Sequence, residues 1–335
     1  MTRKLCSAAV TTALAPMPLP PMKSAGTAAA TILLAAMLAA GAISGRAQAA
    51  EDDSSRFLGL DLKGSLGEGG HNRYVAPLTN PVFNETPYIT TEARAIYFYN
   101  RLPDDFVTGG GSANLAALQL RLAITDRLGF IATKDGYADL NFDEVLPDEE
   151  GFANFALGFK YALVSLPEDN TLLTLGLRYE VPINDLQSGG IELQGDGDGF
   201  LNPFVTGSTT FGDFGLQASL GANLALDTDA DTSILHYSLH GDYEALPGFF
   251  PLIEVNGYTA IDNGKRLTGA LGKLDGMDVL NFGSEDRGTT VTVGGGFRYK
   301  FDDHIQIGLG AETPVTDKDD TIMDYRVYFD LVLSM

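Results

Sequence analysis

The sequence of 335 residues has no tryptophan and only one cysteine, Cys6. A lone thiol cannot form an internal disulfide or a cysteine-based metal site, so the fold must be held by backbone pairing and packing. After residue 50 the sequence also lacks any continuous apolar run of 18 residues or more. This absence excludes a transmembrane helix in that part of the chain.

Basic residues are scarce as well. The chain has 22 Lys and Arg against 44 Asp and Glu, a formal net charge of −22. Four of the basic residues and none of the acidic ones lie in residues 1–50, which leaves 18 against 44 and a net charge of −26 for the remainder. So acidic a chain repels phosphate backbones, which argues against a nucleic-acid partner. It must face water or cations over much of its surface.

The first 49 residues have the pattern of an export signal. An apolar run over 25–43 follows Lys23 and precedes a small-residue Ala-Gln-Ala site that ends at Ala49. A basic start, an apolar middle and such a site predict a signal peptide over residues 1–49, with Met22 as an alternative start of translation. An uncleaved N-terminal membrane anchor is the alternative.

From residue 88 onward, segments of ten to fourteen residues alternate apolar and polar side chains. In 325–335, for example, apolar residues occupy every second position from Tyr325 to Met335. Alternation is typical of strands with two unlike faces. Soluble strands usually have about five or six residues, whereas a tilted membrane strand needs about nine to eleven. Tyrosines near the strand ends suit interfacial girdles; they are Tyr97, Tyr99, Tyr161, Tyr179, Tyr299 and Tyr325.

The pattern predicts an all-β fold, a transmembrane antiparallel up-and-down β-barrel of about 12 strands within residues 88–335. The predicted strands are 90–101, 113–125, 127–134, 152–165, 171–182, 200–211, 213–226, 232–245, 249–261, 288–300, 303–313 and 324–335. An even strand number and alternating short and long links are expected of bacterial barrels, with the short links in the periplasm. Residues 50–87 form either a periplasmic tail or a lumen plug. Their apolar residues favour the plug; these are Phe57, Leu58, Leu60 and Leu62.

On this assignment the polar strand faces point into the lumen. The predicted lumen-lining residues are Glu92, Arg94, Arg121, Lys160, Arg178, Glu180, His236, His240, Asp242, Glu244, Glu254, Arg298, Lys300, Glu312, Arg326 and Asp330. Acids and bases balance in this set, so we expect a constricted, nearly neutral interior. The excess acid lies in the long loops. There it either keeps the loops solvated or binds divalent cations that bridge to lipopolysaccharide.

Three motifs suggest chemistry. The acidic loop 195–199 and the alternate aspartates of 227–231 lack the EF-hand spacing, so we predict neither a metal site nor a cofactor. His236 and Ser238 resemble the His-x-Ser pair of outer-membrane phospholipase A and lipid A deacylase, with Asn256 as an orienting residue. Here, however, both side chains share the inward face, so we predict hydrogen bonding in the lumen and no catalytic residue.

The chain from about residue 75 to 335 resembles a group of proteobacterial barrels, some described as transporters of the phenol-degradation (MetA-pathway) type. The resemblance rests on the segments 77–81, 83–85 and 90–92 and on a terminal strand with Phe329, although that strand ends on Met335 rather than Phe or Trp. It implies a barrel in the outer membrane of a Gram-negative bacterium, inserted by the barrel-assembly machinery. It implies transport only weakly.

We therefore expect a passive channel or transporter for small solutes, with hydrophobic or aromatic solutes included. The alternative is a non-conducting structural or adhesive barrel that acts through its acidic extracellular loops. A more remote alternative is a lipid hydrolase that uses His236 and Ser238.

Overall fold

The computed structural model describes residues 56–57, 60–267, 274, 276–284, 288–316 and 321–335. The predicted signal peptide lies outside these residues. Among the described residues, no helix is long and apolar enough to cross a membrane. Helical structure there consists of two short 3-10 turns, Gly67–Gly69 and Pro167–Asp169.

Twelve strands form the wall of the molecule. They are β1 (Glu92–Leu102), β2 (Gly111–Ala123), β3 (Leu128–Lys134 and Tyr137–Phe142), β4 (Glu149–Phe152 and Phe155–Leu166), β5 (Thr171–Val181), β6 (Phe200–Phe211), β7 (Phe214–Ala225), β8 (Ser233–Tyr243), β9 (Phe249–Asp262), β10 (Thr289–Lys300), β11 (Ile305–Pro314) and β12 (Tyr325–Ser334). Two hairpins with strands of two residues each lie outside the wall, at Arg56–Phe57 with Leu60–Asp61 and at Gln187–Ser188 with Ile191–Glu192.

The wall is closed. Each strand pairs antiparallel with its neighbours in the chain, and β12 pairs with β1 from Tyr325 opposite Arg101 to Ser334 opposite Glu92. Closure pairs the strand edges, as backbone groups in hydrocarbon require. The predicted all-β, up-and-down barrel of about twelve strands is therefore confirmed.

Ten of the twelve strands begin and end within two residues of their predicted bounds. The exceptions are β3, which continues past its predicted end at Lys134, and β4, which begins three residues earlier than predicted. Asp135 and Gly136 have the composition of a turn, but they form a bulge. The Asp135 carboxylate accepts the Leu118 N–H at 3.1 Å, which replaces a ladder hydrogen bond and lets β3 continue.

The links between strands differ in length at the two ends. The links 124–127, 167–170, 212–213, 244–248 and 301–304 are short, and this end is called the turn rim. The other end, called the loop rim, has the links 103–110, 143–148, 182–199, 226–232, 263–288 and 315–324. Short and long links alternate around the barrel, as expected of outer-membrane barrels.

The outer surface is apolar at membrane height. In β4, Phe155, Leu157, Phe159 and Tyr161 point outward, each 43–52% exposed, while the residues between them are buried. Aromatic rings lie near both rims. The ring centroids of Tyr99 and Tyr325 are 6.1 Å apart near the loop rim, and those of Phe214 and Tyr243 are 4.6 Å apart near the turn rim. Such a surface matches a hydrocarbon layer between two interfaces.

A segment N-terminal to β1 fills the lumen. Residues 74–91, called the plug, enter and leave near the turn rim, where Ser65 N–H donates to Ile89 O at 2.8 Å. Between these ends the chain rises to a turn in which Asn84 N–H donates to Asn80 O at 2.9 Å. Asn80 has a φ of 51°, a conformation that asparagine tolerates in turns. Leu78, Thr79 and Asn80 are fully buried inside the barrel.

Candidate functional site: the plugged lumen

Glu85 is the main ionic contact between plug and wall. Its carboxylate accepts two hydrogen bonds from Arg121 of β2, at 2.9 and 2.8 Å, and one from Lys160 of β4 at 2.8 Å. Arg121 also binds Glu92 of β1 at 2.9 Å. All four side chains are buried. Removing one partner of a buried pair costs about 3–5 kcal/mol, because the other charge is left uncompensated. Loss of Glu85 would therefore leave the charges of Arg121 and Lys160 poorly compensated.

A second anchor lies across the lumen, on β9. The Glu254 carboxylate accepts the backbone N–H groups of Leu78 and Thr79 at 2.8 and 2.5 Å, and the Thr79 hydroxyl donates to it at 2.5 Å. His240 of β8 lies between Glu254, 2.6 Å from its Nδ1, and Asp242, 3.1 Å from its Nε2. These contacts tie two neighbouring wall strands to the same stretch of plug.

Wall arginines bind the plug's carbonyl oxygens. Arg298 donates to Ala76 O at 2.7 Å and to Pro77 O at 3.2 Å. Arg178 donates to Val82 O at 2.5 Å. Proline-rich chain leaves carbonyls without a ladder partner, and the guanidinium groups satisfy them. The lumen charges of this barrel therefore bind a folded segment rather than border an open water column.

Most of the predicted lumen-lining residues lie inside the barrel. Fourteen of the sixteen are buried inside the wall, namely Glu92, Arg94, Arg121, Lys160, Arg178, Glu180, His236, His240, Asp242, Glu254, Arg298, Glu312, Arg326 and Asp330. Lys300 is only partly buried and lies at the turn rim, and Glu244 is likewise at this rim. Glu244 falls beyond the end of β8, where it accepts the Gly248 N–H at 3.2 Å.

The sequence analysis did not identify Glu85 as the plug residue that binds the wall. Glu85 is the only charged residue between residues 74 and 91, and a lone acid in such a segment is the signal that points to it. The sequence analysis also missed Arg73, which binds Asp242 at 2.5 Å, and Asp278, a loop residue that binds Arg326 at 2.9 Å. Neither of these has a distinguishing pattern in the sequence.

An apolar cavity of about 80 Å³, called the loop pocket, lies between the plug and the loop rim. Its lining comes from β1, β2, β3 and the long loops and includes Phe98, Leu115, Leu140, Leu193, Leu280 and Phe282. Asn100 and Arg326, on β1 and β12, are the polar side chains that line it. A smaller cavity of about 20 Å³, bordered by Pro81, Val82 and Phe98, lies between this pocket and the plug.

The cavity at the turn rim has a more polar lining than the loop pocket. It has a volume of about 410 Å³ and is lined by Lys63, His71, Tyr74, Lys300 and His304 among others. His71 is buried between Asn170 at 3.2 Å and Ser165 at 2.9 Å. The two ends of the lumen therefore differ: the cavity at the turn rim has charged and polar residues in its lining, whereas the loop pocket at the other end is lined almost entirely by apolar side chains.

Polarity inverts along the strands near the loop rim. In the second part of β3, Ala138 and Leu140 point inward and are buried, whereas Asn141 is exposed. The alternation rule places apolar side chains toward lipid, so it failed where an apolar pocket lies inside. The signal available was the loss of alternation in 95–99, where every residue is apolar.

His236 and Ser238 face the plug. The His236 ring stacks on Phe83 with 4.3 Å between centroids, and its Nε2 lies 2.7 Å from Asn202. Ser238 accepts a hydrogen bond from the plug residue Asn80 at 3.2 Å. Asn256, the residue expected to orient the histidine, donates instead to Thr79 and Glu312 at 2.9 and 2.8 Å. These contacts bind the plug to the wall.

The acidic loops are partly folded on one another. Asp231 accepts the Asp196 N–H at 3.0 Å, and its burial raises the pKa of its carboxyl above the usual range. Lys265, which binds Asp229 at 2.5 Å, lowers the pKa of that exposed carboxyl. In the described part of the chain, no group of three or more His, Cys, Asp or Glu side chains is arranged to hold a metal ion. The acids at 285–286 and 317–320 lie outside the described residues.

Glycine in β10 makes room for the plug. A Cβ on the buried Gly294 would lie 2.6 Å from Thr79 Cγ2, whereas one on the exposed Gly295 would meet nothing closer than Leu252 O at 3.7 Å. Overpacking of this kind costs about 1–3 kcal/mol. We predict that Gly294→Ala loosens the plug and increases tryptic cleavage at Arg73, while Gly295→Ala does not. Equal cleavage of the two variants would contradict this role for Gly294.

Comparisons with known proteins bear on the fold. No protein-family model and no curated protein matches the sequence. Among solved structures, the chain is similar to an outer-membrane channel from Pseudomonas putida F1, with a TM-score of 0.56, 13% identity and coverage of 78% of this chain and 100% of that one. It is also similar to the NanC porin, with a TM-score of 0.45, 9% identity and coverage of 73% and 99%.

At these identities the likeness concerns the fold. The closed wall, the apolar outer surface and the likeness to the Pseudomonas channel agree with one another. The chain is a twelve-stranded β-barrel of the Gram-negative outer membrane.

Proposed function

We propose that this barrel is a channel for small, largely apolar solutes and that it opens when the plug moves. The observation that carries the proposal is the loop pocket, an apolar cavity at the rim predicted to face the exterior. A barrel that served only as a wall would have no need of such a cavity. Water-filled pores are lined by polar groups throughout, so the apolar lining of the loop pocket favours the passage of apolar solutes.

The plug gives the proposed channel its gate. Buried residues of the plug lie between the loop pocket and the cavity at the turn rim. Their contacts with the wall are hydrogen bonds and ion pairs, and the sequence after residue 50 has no cysteine that would fix them covalently. A segment held in this way can move when its contacts are replaced, and it is expected to be closed most of the time.

A sealed barrel is the second candidate function. The observation in its favour is the completeness of the plug's contacts, since Glu85 and Glu254 are both saturated by wall and plug partners. In that case the molecule would act through its acidic loops. We assign catalysis to neither candidate.

Conductance in planar bilayers distinguishes the two. The purified protein is expected to show rare, short openings at moderate voltage, and small aromatic solutes added on the loop-rim side should change their frequency. A barrel that stays sealed at every voltage and with every solute of the panel would overturn the channel and favour the second candidate.

A further inference from the structure

His240 lies between two carboxylates in the lumen. Its Nδ1 is 2.6 Å from Glu254 Oε1 on the neighbouring strand β9, and its Nε2 is 3.1 Å from Asp242 Oδ2 on its own strand β8. All three side chains are buried. A neutral imidazole has one donor and one acceptor nitrogen, whereas an ionised carboxylate only accepts. Both contacts are therefore hydrogen bonds only when both ring nitrogens carry a proton.

The remaining partners of the two carboxylates are donors. Among the described residues, Glu254 accepts the backbone N–H groups of Leu78 and Thr79 and the hydroxyl of Thr79. Asp242 accepts from Arg73 at 2.5 Å. Donors of this kind bind the ionised form of a carboxylate. The proton between the three groups therefore belongs to the imidazole ring, which is a cation in this arrangement.

Both carboxylates bind the N-terminal segment as well as the ring. Glu254 binds the plug at Leu78 and Thr79, and Asp242 binds Arg73, the residue just before the plug. Loss of the ring proton would turn the lone pair of one nitrogen toward a carboxylate oxygen, and the two buried acids would lose the cation between them. Like charges repel strongly where water is excluded, so deprotonation weakens the hold on the plug.

The other side chains around this ring do not replace its charge. Gln217 of β7, directly opposite in the sheet, is uncharged. The remaining charged or titratable groups around the three side chains are Arg73 before the plug, Tyr88 of the plug and Arg298 of β10. Arg73 is already paired with Asp242, and Arg298 is paired with Asp330 at 2.9 Å. In the described part of the chain, the ring is thus the group whose proton decides the balance of charge in this cluster.

Water can reach the cluster from the turn rim. A cavity of about 20 Å³ is lined by His240, Asp242, Arg73 and the end of β6 at Thr209 and Thr210. A cavity of this size holds about one water molecule. The Arg73 side chain is 13% exposed, and the end of β6 lies beside the short link 212–213. Protons can therefore pass between the ring and the solution at the rim predicted to face the periplasm.

We propose that His240 is a proton-controlled latch for the plug. The plug stays seated while the ring is protonated, and it is released when the ring loses its proton. The seated state then holds its proton more tightly than the released state, in which water screens the two carboxylates, so a rise in pH shifts the equilibrium toward release. The inference rests on the proposed function only for its effect on transport, because the latch itself concerns the position of the plug.

A single tryptophan in the plug reports its position independently of conductance. The sequence has no tryptophan, so Phe83→Trp introduces the only one, at a buried position that contacts His236 rather than the latch. In this background, acrylamide quenching is expected to be weak at about pH 7, about threefold or more stronger at about pH 10, and reversible on return to neutral pH. Quenching that is the same at both pH values would overturn the latch.

Two variants separate titration of the ring from a loss of structure. His240→Gln has no ring proton to lose, so its quenching should not change with pH. In Asp242→Asn the new amide faces Nε2 as a donor, while its oxygen can still accept from Arg73, so a neutral ring satisfies both of its neighbours. That variant should keep the tryptophan shielded at alkaline pH, and it carries the test alone if His240→Gln does not fold. A pH response that survives in either variant contradicts the latch.

His71→Gln is the matched control. This histidine is also buried, but its ring nitrogens contact Asn170 at 3.2 Å and Ser165 at 2.9 Å instead of carboxylates. The variant should retain the full pH response of the tryptophan. Loss of the response in this control would assign the proton to His71 and overturn the latch at His240.

Planar-bilayer recordings distinguish failure of the latch from failure of the channel. If both are correct, the wild-type open fraction should rise about tenfold or more from about pH 7 to about pH 10. A tryptophan that responds to pH in a barrel that never conducts would keep the latch and remove the channel. Openings whose frequency does not depend on pH would remove the latch and keep the channel.

Discussion

Replacing Glu85 by glutamine is expected to raise the fraction of time that the barrel conducts by about two orders of magnitude or more. The change leaves Lys160 without its only carboxylate partner among the described residues and leaves Arg121 with Glu92 alone. Breaking a buried pair costs about 3–5 kcal/mol, and every 1.4 kcal/mol is about a factor of ten in the equilibrium between seated and released plug. Single-channel recording measures the open fraction directly.

Glu180→Gln provides the matched control. Glu180 is also buried and binds Lys134 at 2.6 Å, but this pair joins two wall strands, and Asn154, its other partner, belongs to the wall as well. The variant should be less stable to denaturation than wild type, with an open fraction close to that of wild type. If Glu180→Gln opens the barrel as much as Glu85→Gln, the opening reflects a weakened wall and the role given to the plug is wrong.

A disulfide between plug and wall is expected to close the barrel completely. In a disulfide the Cβ of one cysteine lies about 3 Å from the sulfur of the other. A Cβ on Gly294 would lie 2.6 and 3.2 Å from the two branches of the Thr79 side chain, which are the positions that a sulfur at residue 79 would occupy. The double variant Thr79→Cys, Gly294→Cys should therefore cross-link on oxidation, with no competing thiol in the sequence after residue 50.

Liposome swelling reports the consequence. Vesicles with the oxidised double variant should swell no faster in small neutral solutes than vesicles without protein, and a reductant should restore at least the wild-type rate. The Gly294→Cys single variant controls for crowding of the plug, and it should respond to neither oxidant nor reductant. Swelling that persists in fully oxidised protein would show that solute does not pass the plug.

The barrel was predictable because the membrane imposes the same requirement on every strand. Hydrocarbon outside and polar contacts inside dictate alternation over ten or more residues, and closure dictates an even set of antiparallel strands. The alternation rule predicted both ends of β6, 200–211, to the residue. It also predicted that Arg298 and Glu312 point inward, and both side chains are buried. It depends only on near neighbours in the chain.

The site was less predictable, because its contacts join residues far apart in the sequence. Glu85 meets Lys160 across 75 positions, and Arg326 meets Asp278 across 48. No local pattern encodes such pairs. The loop pocket was not predicted for a different reason. Ala138 and Leu140 follow the two-residue period, but these apolar side chains point inward rather than outward. Beyond the membrane, the wall has water outside and an apolar cavity inside. The strand there still alternates every second residue, but its polar side chains face outward and its apolar side chains face inward.

The most direct test of a channel gated by its plug is a recording from one barrel before and after release of the disulfide in the Thr79→Cys, Gly294→Cys variant. A single oxidised molecule is reconstituted in a planar bilayer, and reductant is added during the recording. We predict a silent trace at all moderate voltages, followed within minutes by openings of one repeatable amplitude. Openings of that amplitude before the reductant arrives, or a trace that remains silent after full reduction, would contradict the account.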